Sequence, residues 1–392
     1  MPAPLPGIWA LCLFARSIDE MSGGRKKVVV AMSGGVDSSV ATGLLLRQGY
    51  DVVGVFMRLG TPEGVAGLDA EAACERPTGK QGCCSVRDAQ DARRVAGLLG
   101  IPFYVLNFQD EFGKVIDYFV AEYNAGRTPN PCIRCNDWLK FGKLAQYAKV
   151  VGADYVASGH YARIGASGRD GTKILMRGKD TKKDQSYVLF GISAEHLQHT
   201  LFPVGELEKA QVRAIAEELK LPVFDKPDSQ EICFVPDDDY AALVRRRSPE
   251  ALRPGEFVDA SGKTLGHHEG HQNFTVGQRK GLRIALGARA YVTEIDATTN
   301  RVTLGTKQDL LKVNLVANDL NITHPEVREG EEIACQVKVR YNQQPQMAVM
   351  RIENREMRVR FEQAQSAITP GQAAVAYQGE ELLCGGWIEK AW

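Results

Sequence analysis

The chain has 392 residues, of which 44% are hydrophobic and 24% are charged, a composition typical of globular proteins. This composition excludes a disordered or fibrous chain, and the length exceeds that of one ordinary domain. Lysine plus arginine and aspartate plus glutamate both number 48, so the formal net charge is zero and a uniformly cationic coat is excluded. No apolar run reaches the roughly 18 residues of a membrane span, so we expect no membrane partner.

The nine cysteines favour a reducing compartment. An odd number of cysteines in a long chain is untypical of a secreted disulfide scaffold, so we expect a cytoplasmic protein. Residues 1–24 lack the basic start and the clear cleavage site of a signal peptide. We therefore expect them to form a flexible N-terminal extension.

Strands alternate with helices in the first part of the chain, which predicts an α/β domain. The β-branched run at 26–32 is typical of a strand buried in a parallel sheet. The predicted strands are 26–32, 51–57, 101–106 and 155–158, and the predicted helices are 40–48, 88–99, 111–124 and 138–150. Because such strands need right-handed crossovers, we expect a parallel sheet covered on both faces.

The alternation ends near residue 235. Residues 251–311 are rich in glycine and contain short strand-like pieces at 290–295 and 301–304. Period-two strands follow from Val313 onward, at 332–340, 347–352, 357–361, 373–377 and 381–388, and predict a small β-barrel or sandwich. The predicted parts are thus an extension (1–24), an α/β domain (25–235), a small mixed central domain (236–307) and a C-terminal β-barrel (308–392).

A glycine-rich loop, Ser-Gly-Gly-Val-Asp-Ser-Ser at 33–39, follows the first predicted strand. Its two glycines let the backbone approach a ligand closely, and the N–H groups at the start of a helix point at bound anions. Asp37 is well placed to hold Mg²⁺ against phosphate oxygens. Because no Gly-Lys-Ser/Thr follows, the loop is not a Walker A motif.

The loop resembles the pyrophosphate loop of the ATP pyrophosphatases, which split ATP between the α and β phosphates. Further segments, in order along the chain, closely resemble the tRNA-specific uridine 2-sulfurtransferases, or 2-thiouridylases. These segments are residues 128–141, 157–163, 183–187, 226–234 and 274–282. The resemblance implies that sulfur replaces the C2 oxygen of an anticodon wobble uridine. It also implies ATP and Mg²⁺ as cofactors, with tRNA and a persulfide donor protein or relay, and no DNA, as partners.

The resemblance also implies a set of binding residues. For ATP it implies Ala31, Met32, Ser33, Gly34, Gly35, Val36, Asp37, Ser38, Met57 and Gly159. For the target base it implies Asn130, Pro131 and Cys132, and for the rest of the tRNA it implies His160, Lys183, Asp184, Gln185, Arg340, Tyr341 and Gln372. Arg340 and Tyr341 also suit RNA physically, because a guanidinium binds phosphate and a tyrosine ring stacks on a base.

Two cysteines carry the sulfur chemistry that the resemblance implies. Cys233 would hold the persulfide, and Cys135 would be the nucleophile that helps to release the sulfur, with a Cys135–Cys233 disulfide as one outcome. Many relatives have aspartate where this chain has Cys132, and the change creates a Cys-x-x-Cys. The remaining cysteines that we consider, Cys12, Cys74, Cys335 and Cys384, have no motif around them, and we interpret them as inert.

Other readings of these cysteines remain open. The Cys132–Cys135 pair could be half of a zinc site or a redox pair, and an iron–sulfur cluster on Cys132, Cys135 and Cys233 would instead bind external sulfide. His267, His268 and His271 raise a weaker hypothesis of a metal site, and residues 245–247 read as a solvated helix end.

Two rival functions also remain. One is an ATP pyrophosphatase that acts on a different substrate, and the other is an RNA-binding protein with a degenerate nucleotide site. The presence of Asp37, Cys135 and Cys233 argues against degeneracy.

Overall fold

The computed structural model of this chain describes residues 24–60, 85–167, 171–227, 232–235, 239–282, 284 and 289–392. The predicted extension at 1–24 lies outside the described residues except for Gly24, as do Cys12, Cys74 and part of the 226–234 motif. Within the described residues, no helix combines the length and the apolar character needed to cross a membrane.

A five-stranded parallel sheet occupies the N-terminal part, as predicted. The strands of this part are β1 (Lys27–Ala31), β2 (Asp51–Arg58), β3 (Phe103–Asn107), β4 (Tyr155–Ser158), β5 (Ala162–Ala166), β6 (Lys173–Arg177) and β7 (Thr200–Leu201). The sheet has the order β3-β2-β1-β4-β7, and every neighbouring pair is parallel. Because the strand order reverses at β1, the carboxyl end of β1 lies at the topological switch point where such sheets bind ligands.

The described residues contain eight α-helices. They are α1 (Val36–Arg47), α2 (Val86–Leu99), α3 (Gln109–Asn124), α4 (Pro131–Arg134), α5 (Leu144–Val150), α6 (Ala194–Gln198), α7 (Lys209–Glu218) and α8 (Tyr240–Arg247). Short 3₁₀ helices lie at Ser186–Leu189, Pro249–Ala251, His271–Asn273 and Gln308–Leu310. The bounds of α2 follow from local chemistry. Ser85 and Asp88 form a capping box at its start, and Gly100 ends it in the left-handed region with φ of +68°.

Two helices differ from their predicted bounds. The helix predicted at 40–48 begins at Val36, because the second half of the glycine-rich loop already forms its first turn. The helix predicted at 138–150 begins instead as a π-helix, Cys135–Lys143, which joins α4 to α5. A Cβ at Gly142 would lie 2.9 Å from the Asp137 carbonyl oxygen, so the wide turn depends on that glycine. Hydrophobic periodicity cannot show such a turn, and π-helical turns are frequent at functional sites.

The central domain is built on a four-stranded sheet. Its strands are β8 (Gly255–Val258), β9 (Thr264–His268), β10 (Tyr291–Asp296) and β11 (Arg301–Gly305), in the order β10-β11-β8-β9. A small separate core lies against this sheet and includes Phe257, Phe274 and Val292.

The C-terminal part forms a closed antiparallel barrel. Its six strands are β12 (Leu311–Ile322), β13 (Glu332–Lys338), β14 (Gln346–Glu353), β15 (Glu356–Ser366), β16 (Ala373–Gln378) and β17 (Glu381–Ala391). The barrel closes because β12 pairs with both β15 and β17. The β5–β6 hairpin extends this sheet, since Met176 of β6 pairs with Glu381 of β17. No local pattern in the sequence indicated this addition.

The largest hydrophobic cluster joins the barrel to the parallel sheet. It contains Val29 of β1 and Ile133 of α4 together with Val375 and Tyr377 of β16 and Trp387 of β17, all of them buried. The outer face of the barrel therefore packs on the α/β domain, next to α4, the helix that contains Cys132.

Candidate active site

The predicted phosphate loop lies between the carboxyl end of β1 and the first turn of α1. The Ser33 backbone N–H donates to Ser38 Oγ at 3.2 Å, and the Ser38 hydroxyl donates to the Gly35 carbonyl at 3.2 Å. Gly34 has φ of +75°, and a Cβ there would collide with the backbone of Asp88, so both conformation and space require glycine. The loop thus presents a helix N-terminus at the switch point of the sheet, which is a geometry that binds phosphate.

The Asp37 carboxylate lies in the first turn of α1 and is held by two side chains. The Lys209 ammonium donates to its Oδ1 at 2.8 Å and its Oδ2 at 2.9 Å, and the Tyr161 hydroxyl donates to Oδ1 at 2.7 Å. One carboxylate beside a phosphate-binding loop fits Mg²⁺, which is often bound by one or two carboxylates and substrate phosphates. A magnesium ion on Asp37 would compete with Lys209 for the same oxygens.

Lys226 links the phosphate loop to α2 through hydrogen bonds. Its ammonium donates to the Gly34 carbonyl at 3.0 Å, to Asp88 Oδ1 at 2.7 Å and to Asp91 Oδ2 at 2.6 Å. Burial alone would lower the pKa of Lys226, but the hydrogen bonds and charges of the two aspartates raise it above its usual value. Lys226 therefore stays charged and links the loop and α2 to the start of the segment that leads to Cys233.

Gly159 and His160 follow the carboxyl end of β4, beside the loop. A Cβ on Gly159 would lie 2.5 Å from the Asp37 carbonyl carbon, so only glycine allows this close approach. His160 is buried, its Nδ1 lies 2.7 Å from Ser158 Oγ, and its Nε2 lies 3.4 Å from Lys140 Nζ. Burial, with a smaller effect of Lys140, lowers the pKa of His160 well below its usual value. Because a lysine ammonium only donates, Nε2 is the acceptor and the proton is assigned to Nδ1.

The structure brings Cys135 and Cys233 to one place. Both side chains are partly buried and pack against the same hydrophobic cluster, which includes Phe112, Phe119 and Phe234. Met57, predicted to lie beside the adenine, packs against this cluster too. The two predicted sulfur-handling residues and one predicted nucleotide residue thus contact one hydrophobic cluster.

Cys132 is exposed, unlike Cys135 and Cys233. Within the described part of the chain, which includes all three thiols, no three His, Cys, Asp or Glu side chains are arranged to hold a metal ion. An iron–sulfur cluster on Cys132, Cys135 and Cys233 stays a prediction.

The loop of the predicted base-contact residues is joined to the barrel. Gln372 donates from Nε2 to the backbone oxygens of Thr128 at 3.1 Å and Pro129 at 3.0 Å, and the Thr128 N–H donates to the Pro370 oxygen at 2.8 Å. These contacts lie immediately before Asn130, Pro131 and Cys132. Gln372, predicted to bind tRNA, thus fixes the backbone of the base-contact loop in this structure.

The charged residues around α4 form a second link to the barrel. The Arg134 guanidinium lies 4.2 Å from the centre of the Trp387 ring and 3.0 Å from Asp319 Oδ2. Burial raises the pKa of Asp137, in the π-helix, to about 6, although Arg134 acts to lower it and Asp319 adds to the rise. An aspartate two residues after Cys135 thus titrates near neutral pH, which no sequence motif indicated.

The other predicted tRNA residues lie in two groups. Asp184 and Gln185 accept hydrogen bonds within the protein, from Gly178 N at 3.0 Å and from Tyr161 N at 2.9 Å, and Lys183 precedes them in the same turn. Arg340 is exposed on the barrel, and Tyr341 is 39% exposed. Burial raises the pKa of Tyr341, and Asp184 and Cys132 add to the rise. Asp184 of the first group and Cys132 of the base-contact loop therefore both lie within electrostatic reach of Tyr341.

The remaining candidates from the sequence lie apart from this site. Cys335 and Cys384 are buried in the barrel, and burial raises the pKa of each thiol to about 12, as fits inert cysteines. His268 and His271 are also buried, and His271 Nδ1 lies 2.9 Å from Asn300 Oδ1. Burial lowers the pKa of His268 to about 4. Arg245 and Arg246 are exposed at the end of α8, as predicted, whereas Arg247 is half-buried and its Nη1 lies 3.9 Å from Asp117 Oδ1.

The sequence analysis missed three residues that hold the phosphate loop. Tyr161 and Lys226 lie inside the segments 157–163 and 226–234, so the resemblance pointed to them without assigning a role. Lys209 lies in no such segment, and only the fold brings it to Asp37.

Three family models match the chain. They are described as the tRNA methyl transferase HUP domain (residues 26–237), the tRNA methyl transferase PRC-barrel domain (242–306) and the aminomethyltransferase beta-barrel domain (312–388). The chain is also similar to proteins named tRNA-specific 2-thiouridylase MnmA. The one from Carboxydothermus hydrogenoformans is 50% identical over 94% of this chain and 98% of its own length. The one from Clostridium perfringens is 48% identical over 93% and 99%.

A solved structure described as NMN synthetase from Francisella tularensis covers 57% of this chain and 77% of its own, at 16% identity and a TM-score of 0.31, too distant to carry an argument. The family descriptions mention methyl transfer, whereas the relatives matched over almost their whole length are named thiouridylases. We follow the relatives, because identity near one half over the full chain is the stronger similarity.

A glycine-rich phosphate loop at the switch point of a parallel sheet, followed by a central domain and a closed barrel, defines a nucleotide-binding α/β enzyme with appended β domains. The three domain matches follow one another along the chain without overlap. The chain belongs to the tRNA-specific 2-thiouridylase family.

Proposed function

We propose that this chain is an ATP-dependent tRNA-uridine 2-sulfurtransferase that thiolates the wobble uridine of tRNA anticodons in the cytoplasm and releases AMP and pyrophosphate. The observation that carries the proposal is the convergence of Cys135 and Cys233, distant in the sequence, on the hydrophobic cluster that Met57 also contacts. We assign ATP binding to residues 25–235, tRNA contacts to 236–307 and the base-contact support to 308–392.

The first step is adenylation. The C2 oxygen of the uridine attacks the α-phosphate of ATP, a C2–O–P bond forms, and pyrophosphate leaves. N–H groups of residues 33–38 bind the phosphates and align the reacting atoms. Asp37 would hold Mg²⁺, which neutralises charge on the phosphate oxygens when it is bound. Lys209 donates to both oxygens of Asp37 and orients that carboxylate.

The second step transfers sulfur. A donor protein or relay first loads Cys233 as a persulfide, whose terminal sulfur attacks C2 of the adenylated uridine. The Cys135 thiolate then attacks Cys233 Sγ and breaks the persulfide S–S bond, while the C2–O bond breaks and AMP leaves. Cys135 and Cys233 end as a disulfide, which an external thiol reductant must reduce before the next cycle.

Four variants, each with one cysteine replaced, test the proposed roles of the cysteines. Cys233→Ser should still release pyrophosphate in the presence of tRNA but form no 2-thiouridine, because serine carries no persulfide. Cys135→Ala should also stop thiolation, whereas Cys132→Ala should retain it, because Cys132 neither carries nor releases sulfur. Cys335→Ala is the matched control, since that thiol is buried in the barrel.

The measurements are nucleoside mass spectrometry of the tRNA, pyrophosphate release and bound iron after anaerobic purification. Full thiolation by Cys233→Ser would refute the proposed sulfur carrier. Joint loss of iron and activity in the Cys132, Cys135 and Cys233 variants would establish the cluster route instead. Pyrophosphate release that does not depend on tRNA would indicate a different substrate.

A further inference from the structure

Lys338 is a buried cation on the barrel that no step of the proposed reaction uses. It ends β13, it is only 7% exposed, and its backbone pairs with Val375 of β16. Among the residues that the structure describes, no carboxylate forms an ion pair with it. Burial lowers the pKa of Lys338, Asp184 acts in the opposite direction, and Arg177 adds to the lowering. The aliphatic stem of Lys338 is buried, and its ammonium, which forms no ion pair in the described part of the chain, is able to donate hydrogen bonds to a ligand.

Two tyrosine rings lie next to each other beside the Lys338 ammonium. Nζ lies 5.5 Å from the centre of the Tyr187 ring and 5.4 Å from that of Tyr341, and the two ring centres are 6.3 Å apart. Tyr187 is fully buried and its hydroxyl donates to the Ala373 oxygen at 3.0 Å, so this side of the group is fixed. Tyr341 is half-exposed and senses the charge of Cys132. Tyr187 belongs to the same hydrophobic cluster as Ile133 of α4, the helix that contains Cys132, so the ammonium lies on the side of the barrel that meets the base-contact loop.

Asp184 is the carboxylate that acts to raise the pKa of Lys338, but it cannot serve as the ion-pair partner that Lys338 lacks. Its Oδ1 accepts hydrogen bonds from Gly178 N and Ser186 N, both at 3.0 Å, and its Oδ2 accepts one from Ser186 Oγ at 3.1 Å. Asp184 offsets part of the cost of burying Lys338 but leaves the ammonium hydrogens for another acceptor.

We infer that Lys338 reads the target nucleobase, donating a hydrogen bond to the C4 carbonyl oxygen of a uracil that stacks on Tyr341. This inference rests on the proposed function. A flat ring with a carbonyl on its edge fits a cation beside an accessible aromatic ring, whereas a phosphate is better met by an exposed side chain such as Arg340. Lysine has only donors, so it accepts uracil O4 as a partner and meets the amino group of cytosine as a second donor. Contact at C4 also leaves the C2 oxygen open to adenylation.

The experiment compares tRNA binding by the full chain and its Lys338→Met variant, without ATP. The two probes are a tRNA with uridine at the wobble position and the same tRNA with cytidine there. The parent protein should prefer uridine by about tenfold, or 1.4 kcal/mol, and Lys338→Met should lose that preference. Lys390→Met is the matched control, because Lys390 lies 5.6 Å from the Trp392 ring on the same barrel and is exposed.

Thermal unfolding separates recognition from structural support. Removing an unpaired buried charge should leave the melting temperature of Lys338→Met equal to or above that of the parent. A lower melting temperature would assign Lys338 to the barrel core and overturn the inference. If Lys338→Met bound the uridine and the cytidine tRNA more weakly by the same factor, Lys338 would contact a phosphate, and this result would also overturn the inference. The proposed function fails separately, if the parent protein forms no 2-thiouridine.

Discussion

Replacing Gly159 by alanine should separate β4 from the phosphate loop. The new Cβ would lie 2.5 Å from the Asp37 carbonyl carbon, whereas ordinary contacts begin at 3.4 Å, so the two backbones must move apart by roughly 1 Å. The obstacle is the backbone of α1, which cannot rotate away as a side chain does. We expect a loss of about 3 kcal/mol in the free energy of unfolding, the upper part of the range for overpacked sites. We also expect ATP affinity to fall by about 100-fold, because a displacement of this size misaligns the phosphate contacts.

Urea unfolding and the binding of a fluorescent ATP analogue measure the two effects of Gly159→Ala. The matched control is Gly113→Ala in α3, where a Cβ meets no atom within 4 Å. That control should stabilise the protein by about 0.5–1 kcal/mol, since alanine is the better helix former, and should leave ATP binding unchanged. If Gly159→Ala unfolded and bound ATP like the parent, the loop would not be held by this backbone contact.

Two further predictions concern the nucleotide and the tRNA. Asp37→Ala should abolish pyrophosphate release but keep tRNA affinity, because this carboxylate faces the phosphate loop and not the barrel; undiminished release would remove Asp37 from the reaction. Raising the salt concentration from about 50 to about 200 mM should weaken tRNA binding at least tenfold through counterion effects, and Arg340→Ala should flatten this dependence. An affinity that ignores salt would show that the exposed Arg340 does not meet phosphate.

Local chemistry explains which elements the sequence predicted well. In β1 and in the alternating strands of the barrel, the order of apolar and polar residues along the strand matches which residues are buried. The existence and type of these strands were therefore predicted correctly. The π-helix at Cys135–Lys143 was not predicted, because it depends on how Gly142 approaches the Asp137 carbonyl. The β5–β6 hairpin was missed because it is stabilised by pairing with β17, far along the chain.

In the candidate site, too, local features were predicted from the sequence and contacts between distant residues were not. The glycine-rich loop is contiguous, and its conformation follows from Gly34 and the serine hydroxyls, so the sequence alone indicated a phosphate site. Contacts between distant residues, such as Lys209 with Asp37 and Lys226 with Asp88, became visible only in the fold. The convergence of Cys135 and Cys233 was expected from the resemblance and could not have been derived from spacing.

The core shared by the parallel sheet and the barrel has a consequence for synthesis on the ribosome. Val29 and Ile133 are buried partly by Val375, Tyr377 and Trp387, which are made long after them. Until β16 and β17 emerge, the newly made α/β domain exposes this apolar face, and the loop before Cys132 lacks the Gln372 contacts. Domains generally fold as units during synthesis, beginning at the N-terminus. Here, by contrast, the loop of the predicted base-contact residues takes its final shape only after β16 and β17 have emerged.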